Sequence, residues 1–295
     1  MTFARDLIGY GAAPPDPQWP GDARVAVQFV INYEEGAENS VLNGDAGSEA
    51  FLSEMVGATS HPDRAMAMES LYEYGARAGF WRLHRLFTER TLPVTVFGVA
   101  RALEMNPAAV EAMLAAGWEI ASHGLRWIDY QTVPEAVERA HIAEAIALHT
   151  RLTGTRPLGW YQGRTSPNTA RLVAEEGGFA YDADSYADDL PYWDRRHAKA
   201  QLIVPYTLDA NDMKYVSQNG FTEGDQFFRY LRDTFKQLRS EGGRMMSIGL
   251  HARIAGRPAR ALALAKFIDH VIASGDAWVA RRIDIARHWM EVHPA

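Results

Sequence analysis

Short apolar runs alternate with longer helix-period segments along most of this chain, and that alternation narrows the folds open to it. "RVAVQFVIN" (24–32), rich in β-branched residues, reads as a buried strand, "ESLYEYGARAGFWRLHRLFTER" (69–90) as a helix and "LPVTVFGVA" (92–100) as the next strand. In "NPAAVEAMLAAG" (106–117), Asn106 sits at an N-cap, Pro107 at the first helical position and Gly117 just past the end. Strands are then expected in "WEIAS" (118–122), "LGWYQ" (158–162), "FAYDAD" (179–184), "QLIVPYT" (201–207), "MMSIGLH" (245–251) and "AWVARR" (277–282). Helices are expected over 134–154, over 166–178 behind Ser166 and Pro167, and near 224–241 and 257–274. Seven or eight β/α units predict an α/β fold, a distorted (β/α) barrel of about seven parallel strands with helices outside.

A chain of 295 residues, 47% of them hydrophobic, can bury one large core, so a single barrel domain over 1–295 is expected. Two parts depart from the rhythm. "APPDPQWPGD" makes an irregular arm of residues 1–22, and residues 36–66 read as a loop inserted at the mouth of the first strand. The net charge of −7 argues against nucleic acid or an anionic membrane as partner and leaves a small-molecule substrate. With no cysteine, disulfides, thiolate zinc sites and a thiol nucleophile are excluded, so any metal would need His, Asp and Glu. The start lacks the basic and apolar regions of a signal peptide, and no stretch is apolar enough to span a bilayer; a soluble, cytoplasmic protein is expected.

Polar and titratable residues collect at one end of nearly every expected strand. The first strand exits through Asn32, Tyr33, Glu34 and Glu35; "WEIAS" runs into His123; "LGWYQ" presents Tyr161 and then Arg164. "FAYDAD" carries Asp182 and Asp184, "QLIVPYT" leads to Asp209, Asn211 and Asp212, and "MMSIGL" ends at His251. In parallel barrels that end holds the active site. Singly, each residue has a plainer reading: a strand-end histidine in a hydrogen bond, a loop cap, or aspartates such as Asp188 and Asp189 capping backbone amides. Collected at one end, they indicate a site. Because side chains alternate along a strand, only one of Glu34 and Glu35 is expected to face its centre.

The order of "NYEEG" (32–36), "SHGLRW" (122–127), "WYQGR" (160–164), "LDANDM" (208–213) and "IGLHAR" (248–253) resembles the motifs of the polysaccharide deacetylase family, across about residues 20–290. The metal-dependent members hold a divalent cation with two histidines spaced by four and an aspartate, while a second aspartate is the base. Here His123 is kept, Trp127 stands where the second histidine belongs, and both aspartates are glutamates. Glu35 and His123 are then the only obvious ligands, fewer than the three a catalytic zinc site normally uses. The family's arginine position is taken by Tyr161, with Arg164 displaced by three residues. Longer strings such as "SHGLRWIDY", "GWYQGRTSPNT" and "LHARIAGRPAR" are similar to those of the cofactor-independent allantoinases within this superfamily.

That resemblance implies hydrolysis of a cyclic amide, the opening of the hydantoin ring of (S)-allantoin to allantoate in purine catabolism, with no metal cofactor and a homotetrameric assembly. It implies Glu35, or Glu34, as general base, with the family register favouring Glu35. His123 and His251 would orient water, stabilise charge or protonate the leaving nitrogen, and Asp212 would hold His251 or the substrate. Tyr33, Trp127, Trp160 and Tyr161 would narrow the pocket around a flat heterocycle, with Arg164 and Asn211 for its ureido arm. Two other readings stay open: a metal-dependent deacetylase of peptidoglycan or another N-acyl substrate, its third ligand drawn from Asp182, Asp184 or His251, and a noncatalytic ligand-binding barrel.

Overall fold

Nine strands build one sheet in the computed structural model, which describes residues 5–197 and 199–295. The strands are β1 (Val25–Tyr33), β2 (Thr95–Gly98), β3 (Glu119–Ser122), β4 (Gly159–Trp160), β5 (Tyr181–Asp182), β6 (Tyr192–Asp194), β7 (Gln201–Ile203), β8 (Arg244–His251) and β9 (Ala277–Val279). Their order is β6-β7-β5-β4-β3-β2-β1-β8, and β9 pairs with the first half of β1 while β2 takes its second half. All pairings are parallel except β6 with β7. The α/β barrel expected from the sequence is therefore present, with more strands than the expected seven. The sheet curls without closing: between β7 and β8 the only ladder is the isolated bridge Asn211–Gly249 among the described residues.

All nine residues of β1 are buried, as a strand with side chains packed on both faces requires. Their parity decides where each one points. Val25, Val27, Phe29, Ile31 and Tyr33 join the core beneath the helices, whereas Ala26 and Val30 belong to the core inside the barrel. The same alternation puts Ile120, Ile248 and Leu250 outside and Phe97, Ala121, Tyr161 and Met245 inside.

The helices are α1 (Met66–Tyr74), α2 (Phe80–Thr88), α3 (Ala100–Met105), α4 (Pro107–Ala115), α5 (Glu135–Thr153), α6 (Thr169–Glu176), α7 (Gly224–Glu241), α8 (Pro258–Ser274) and α9 (Arg282–Val292). None is long and apolar enough to cross a membrane among the described residues. Asn106 caps α4 as expected, its side chain accepting from the Ala109 amide at 3.2 Å. The helix predicted over 69–90 is interrupted by a π turn, Gly75–Gly79, that joins α1 to α2. The strand predicted over 92–100 stops at Gly98 because α3 begins at Ala100. Strand β6 and helix α9 had no counterpart in the sequence reading.

The N-terminal arm is irregular as expected. It lies against the last helix and the start of β8: His288 Nε2 reaches the Pro17 carbonyl at 2.7 Å and the Trp19 indole donates to the Arg244 carbonyl at 3.0 Å. Residues 36–50 are tied down at the opposite end of the barrel. Arg126 donates to the Ala37 and Glu38 carbonyls at 3.2 and 3.1 Å and pairs with Asp45 at 2.5 Å.

Candidate active site

Because the barrel strands run parallel, the C-terminal ends of β1, β3 and β8 bring Glu34, His123 and His251 to the same end of the sheet. Glu34 is their common partner. Its Oε1 lies 3.3 Å from His123 Nε2 and 3.5 Å from His251 Nε2, and its Oε2 accepts from Arg253 Nη1 at 2.7 Å. Burial works against its charge, but Arg253, His251 and the hydrogen bonds from both imidazoles outweigh it and hold the carboxyl well below the usual carboxylate range. Glu34 is thus an ionised carboxylate inside the protein, 1% exposed.

Each imidazole is oriented from behind. His123 Nδ1 faces the Tyr161 carbonyl at 3.1 Å; a carbonyl only accepts, so that nitrogen carries a proton and Nε2 is the one turned to Glu34. His251 Nδ1 donates to Asp212 Oδ1 at 2.6 Å, and Asp212 Oδ2 accepts the His251 and Ala255 amides at 2.7 and 2.9 Å. Asp212 is fully buried and holds both the ring and its backbone. Burial alone would lower the His251 pKa, yet Glu34 and Asp212 raise it to about 9, so the ring is an imidazolium at neutral pH.

Glu35 lies on the other face of the strand. Its Oε2 accepts the Glu34 amide at 3.1 Å, its Oε1 has no partner, and the side chain packs against Gly75, where any Cβ would collide with the carboxylate. Burial pushes its pKa up, with Arg253 opposing and Glu34 adding to the rise. The family register favours Glu35 as the centre-facing carboxylate; the geometry puts Glu34 there. The signal was available: the polar residues Gln28, Asn32 and Glu34 all occupy even positions of an otherwise apolar strand, so Glu34 continues the inward face.

Of the residues expected to wall the pocket, two are near the carboxylate–imidazole group. The Tyr161 ring lies 4.9 Å from His123 and its hydroxyl pairs with Tyr186 at 3.0 Å. The Trp127 ring has the guanidinium groups of Arg253 and Arg164 at 5.2 and 5.3 Å and packs against Tyr72 and Phe51. Arg164 is partly exposed, 4.9 Å over the Phe51 ring, with Glu49 at 3.8 Å and Asp129 at 3.9 Å. Three others are elsewhere. Tyr33 points outward, packs on Phe80 and accepts from Asn106 at 2.7 Å; Trp160 is fully buried against Phe179 beneath α5 and α6. Asn211 spends its side chain on the Thr207 carbonyl and the Met213 amide, at 3.2 and 3.0 Å. Tyr33 and Trp160 follow from the strand alternation, since each adjoins a residue that faces inward.

Asp182 and Asp184 cap backbone: Asp184 accepts the Gln162 and Gly163 amides at 2.8 and 2.7 Å, and Asp182 accepts the Asp184 amide at 2.9 Å. The residues do not fit the divalent cation of the metal-dependent deacetylases. Among the described residues no three His, Asp or Glu side chains are placed to hold a metal ion, and the one shared carboxylate is already engaged by a guanidinium and an imidazolium. Arg253 escaped the sequence reading: β8 ends at His251 and the chain turns there, with the Ile254 and Ala255 amides donating to the His251 carbonyl, so strand parity does not reach Arg253.

The profile of the family described as "Polysaccharide deacetylase" matches residues 62–181. A Schizosaccharomyces pombe protein described as a candidate polysaccharide deacetylase is 41% identical over 317 aligned residues, spanning all of this chain and 99% of its own length. The crystal structure of a candidate polysaccharide deacetylase from Pseudomonas aeruginosa PAO1 is similar at 58% identity and a TM-score of 0.98, covering 99% of this chain and all of that one. The crystal structure of PuuE allantoinase is similar at 56% identity and a TM-score of 0.98, covering both chains completely.

Proposed function

The chain belongs to the polysaccharide deacetylase family, and we propose that within it this protein is an allantoinase, opening the hydantoin ring of (S)-allantoin to allantoate in purine catabolism. The observation that carries the reading is the similarity to PuuE allantoinase over the full length of both chains. The site supports it, because the residues gathered around Glu34 supply acid and base without a metal-ligand set.

In this reading water attacks a ring carbonyl carbon and the C–N bond of the cyclic amide breaks. Glu34, an ionised carboxylate, takes the proton of the attacking water, with the His123 ring held beside it by the Tyr161 carbonyl. The His251 imidazolium, held by Asp212, steadies the oxyanion and delivers a proton to the departing nitrogen. One water is consumed; its oxygen ends in a carboxylate and the nitrogen becomes the NH2 of a ureido group. Tyr161, which pairs with Tyr186, and Trp127 and Arg164, which pack on Phe51, are the residues against which a flat heterocycle and its polar arm would rest. The reading includes a cytoplasmic homotetramer that works without a resident metal.

The test is ring opening of (S)-allantoin by chelator-treated protein, with metal content measured on the same sample. Full turnover by metal-free protein is the expected result. Turnover that disappears and returns with zinc would overturn the metal-free mechanism. The relatives described as candidate deacetylases make N-acetylated sugars the substrates to assay beside allantoin, and acetate release without ring opening would replace the allantoinase reading.

A further inference from the structure

Four buried polar atoms on three residues packed together beside Glu34 have no hydrogen-bond partner in the protein: Nε and Nη2 of Arg253, Oε1 of Glu35 and the hydroxyl of Tyr72. The Arg253 guanidinium lies 4.4 Å over the Tyr72 ring and 5.2 Å from Trp127, and its Nη1 is 3.9 Å from Glu35 Oε1. It is 3% exposed. A guanidinium prefers to grip a carboxylate with two parallel bonds. Here only Nη1 is used, at 2.7 Å from Glu34, and no protein group accepts from the rest of the fork. Buried donors left without a partner destabilise a fold, so a purely structural arginine would be expected to satisfy them.

Several features instead fix where this cation stands. Gly75 brings the π turn against Glu35, and Gly79 meets the Ala252 carbonyl directly, so the helix packs against the loop that carries Arg253 with no side chain between. Rings on Tyr72 and Trp127 flank the guanidinium, which is favourable for a desolvated cation. Glu34 needs such a neighbour: a buried carboxylate that touches two imidazoles would otherwise take a proton from one of them and lose its charge.

We propose that Arg253 is the positioning residue of this site, a resident guanidinium that keeps Glu34 a carboxylate and aims it between His123 and His251, the electrostatic task that a bound metal would perform in a site with enough ligands. The proposal rests on the hydrolase reading for its kinetic consequence, and on geometry alone for its effect on the imidazoles.

Both consequences are read on Arg253→Ala in the full-length protein, with and without millimolar guanidinium and with sodium as the control. The expected result is a fall of at least roughly 100-fold in kcat for (S)-allantoin with KM changed only severalfold, the pattern of a lost transition-state interaction. Added guanidinium should restore kcat at least tenfold. The ring 15N signals of His123 and His251 should move in the variant and return with guanidinium. Should Arg253→Ala fail to fold, Arg253→Lys, which keeps the charge and loses the planar fork, carries the same comparison of kcat, KM and ring signals. Wild-type kcat in either folded variant, or a loss that guanidinium leaves untouched, overturns the proposal. If the wild-type protein opens no ring, the allantoinase reading falls by itself, and the ring signals decide for Arg253: displaced and restored supports it, unmoved overturns it.

Discussion

Glu34 and Glu35 are neighbours with opposite electrostatic fates because a strand turns consecutive side chains to opposite faces. Glu34 meets a guanidinium and two imidazoles, whereas Glu35 meets a helix backbone and keeps one oxygen unpaired. Glu34→Gln should therefore lower turnover by at least roughly 100-fold, the usual scale for losing an acid/base group, while Glu35→Gln should stay within about tenfold of wild type. Steady-state rates on (S)-allantoin check the pair, and equal losses would sink the assignment. The Asp212–His251 contact carries a second consequence. The folded-state pKa of His251 is raised to about 9 from an ordinary 6.5, so the folded protein binds this proton more tightly than the unfolded chain. That stabilisation is complete below the ordinary value and is lost as pH rises through the folded one. Unfolding free energy should fall by about 3 kcal/mol across that window, and Asp212→Asn should flatten the slope. Denaturant titrations at a series of pH values measure both.

At the scale of elements, the junction of α1 and α2 is more than a helix carrying one extra residue per turn. The π turn Gly75–Gly79 places a glycine at each of its ends, one against the Glu35 carboxylate and one against the Ala252 carbonyl. π turns inside helices are frequent at functional sites, and here the widened turn lets a helix approach the catalytic strand ends closely. The helical period of "ESLYEYGARAGFWRLHRLFTER" announces the helix but not its distortion, since both glycines fit a regular helix in isolation. Gly75→Ala should favour the isolated helix slightly and still destabilise the protein by about 1–3 kcal/mol, because the new methyl group must displace Glu35. Thermal unfolding with retained helical circular dichroism would verify this; a raised melting temperature would contradict it.

For the molecule as a whole, the incomplete barrel raises the question of what holds its open seam. Arg282, the first residue of α9, enters the barrel interior and is fully buried. Its Nη1 donates to Gln28 Oε1 at 2.6 Å and Ser247 Oγ at 3.0 Å, and its Nη2 to the carbonyls of Val204 and Pro205, so one side chain links β1, β8 and the segment after β7. The rings of Phe97, Tyr181 and Tyr206 surround it at 5.5, 5.8 and 5.6 Å. Removing it would strand several buried acceptors on both sides of the seam. Arg282→Met, which conserves much of the volume, should cost on the order of 3 kcal/mol, read as a lower urea midpoint. An unchanged midpoint would show that the Asn211–Gly249 bridge and the surrounding packing hold the seam unaided.

The α/β rhythm, the helix punctuation around Asn106 and Pro107, and the gathering of titratable residues at the strand ends are all legible in the amino-acid order, because each depends on spacing within one segment. Even the choice of Glu34 over Glu35 was contained in the parity of "VAVQFVINYEE", as was the outward direction of Tyr33. The tertiary structure decided what local spacing cannot express. It alone set the partners of Arg253 and Arg282, whose hydrogen bonds join residues 219 and 254 positions apart. It also stopped the strand predicted over 92–100 at Gly98, and it formed β6 by antiparallel pairing that a three-residue segment does not announce. The physical reason is the same in each case: a buried charge or a short edge strand is stable only through neighbours that the folded chain brings to it, and a single segment carries no record of those neighbours.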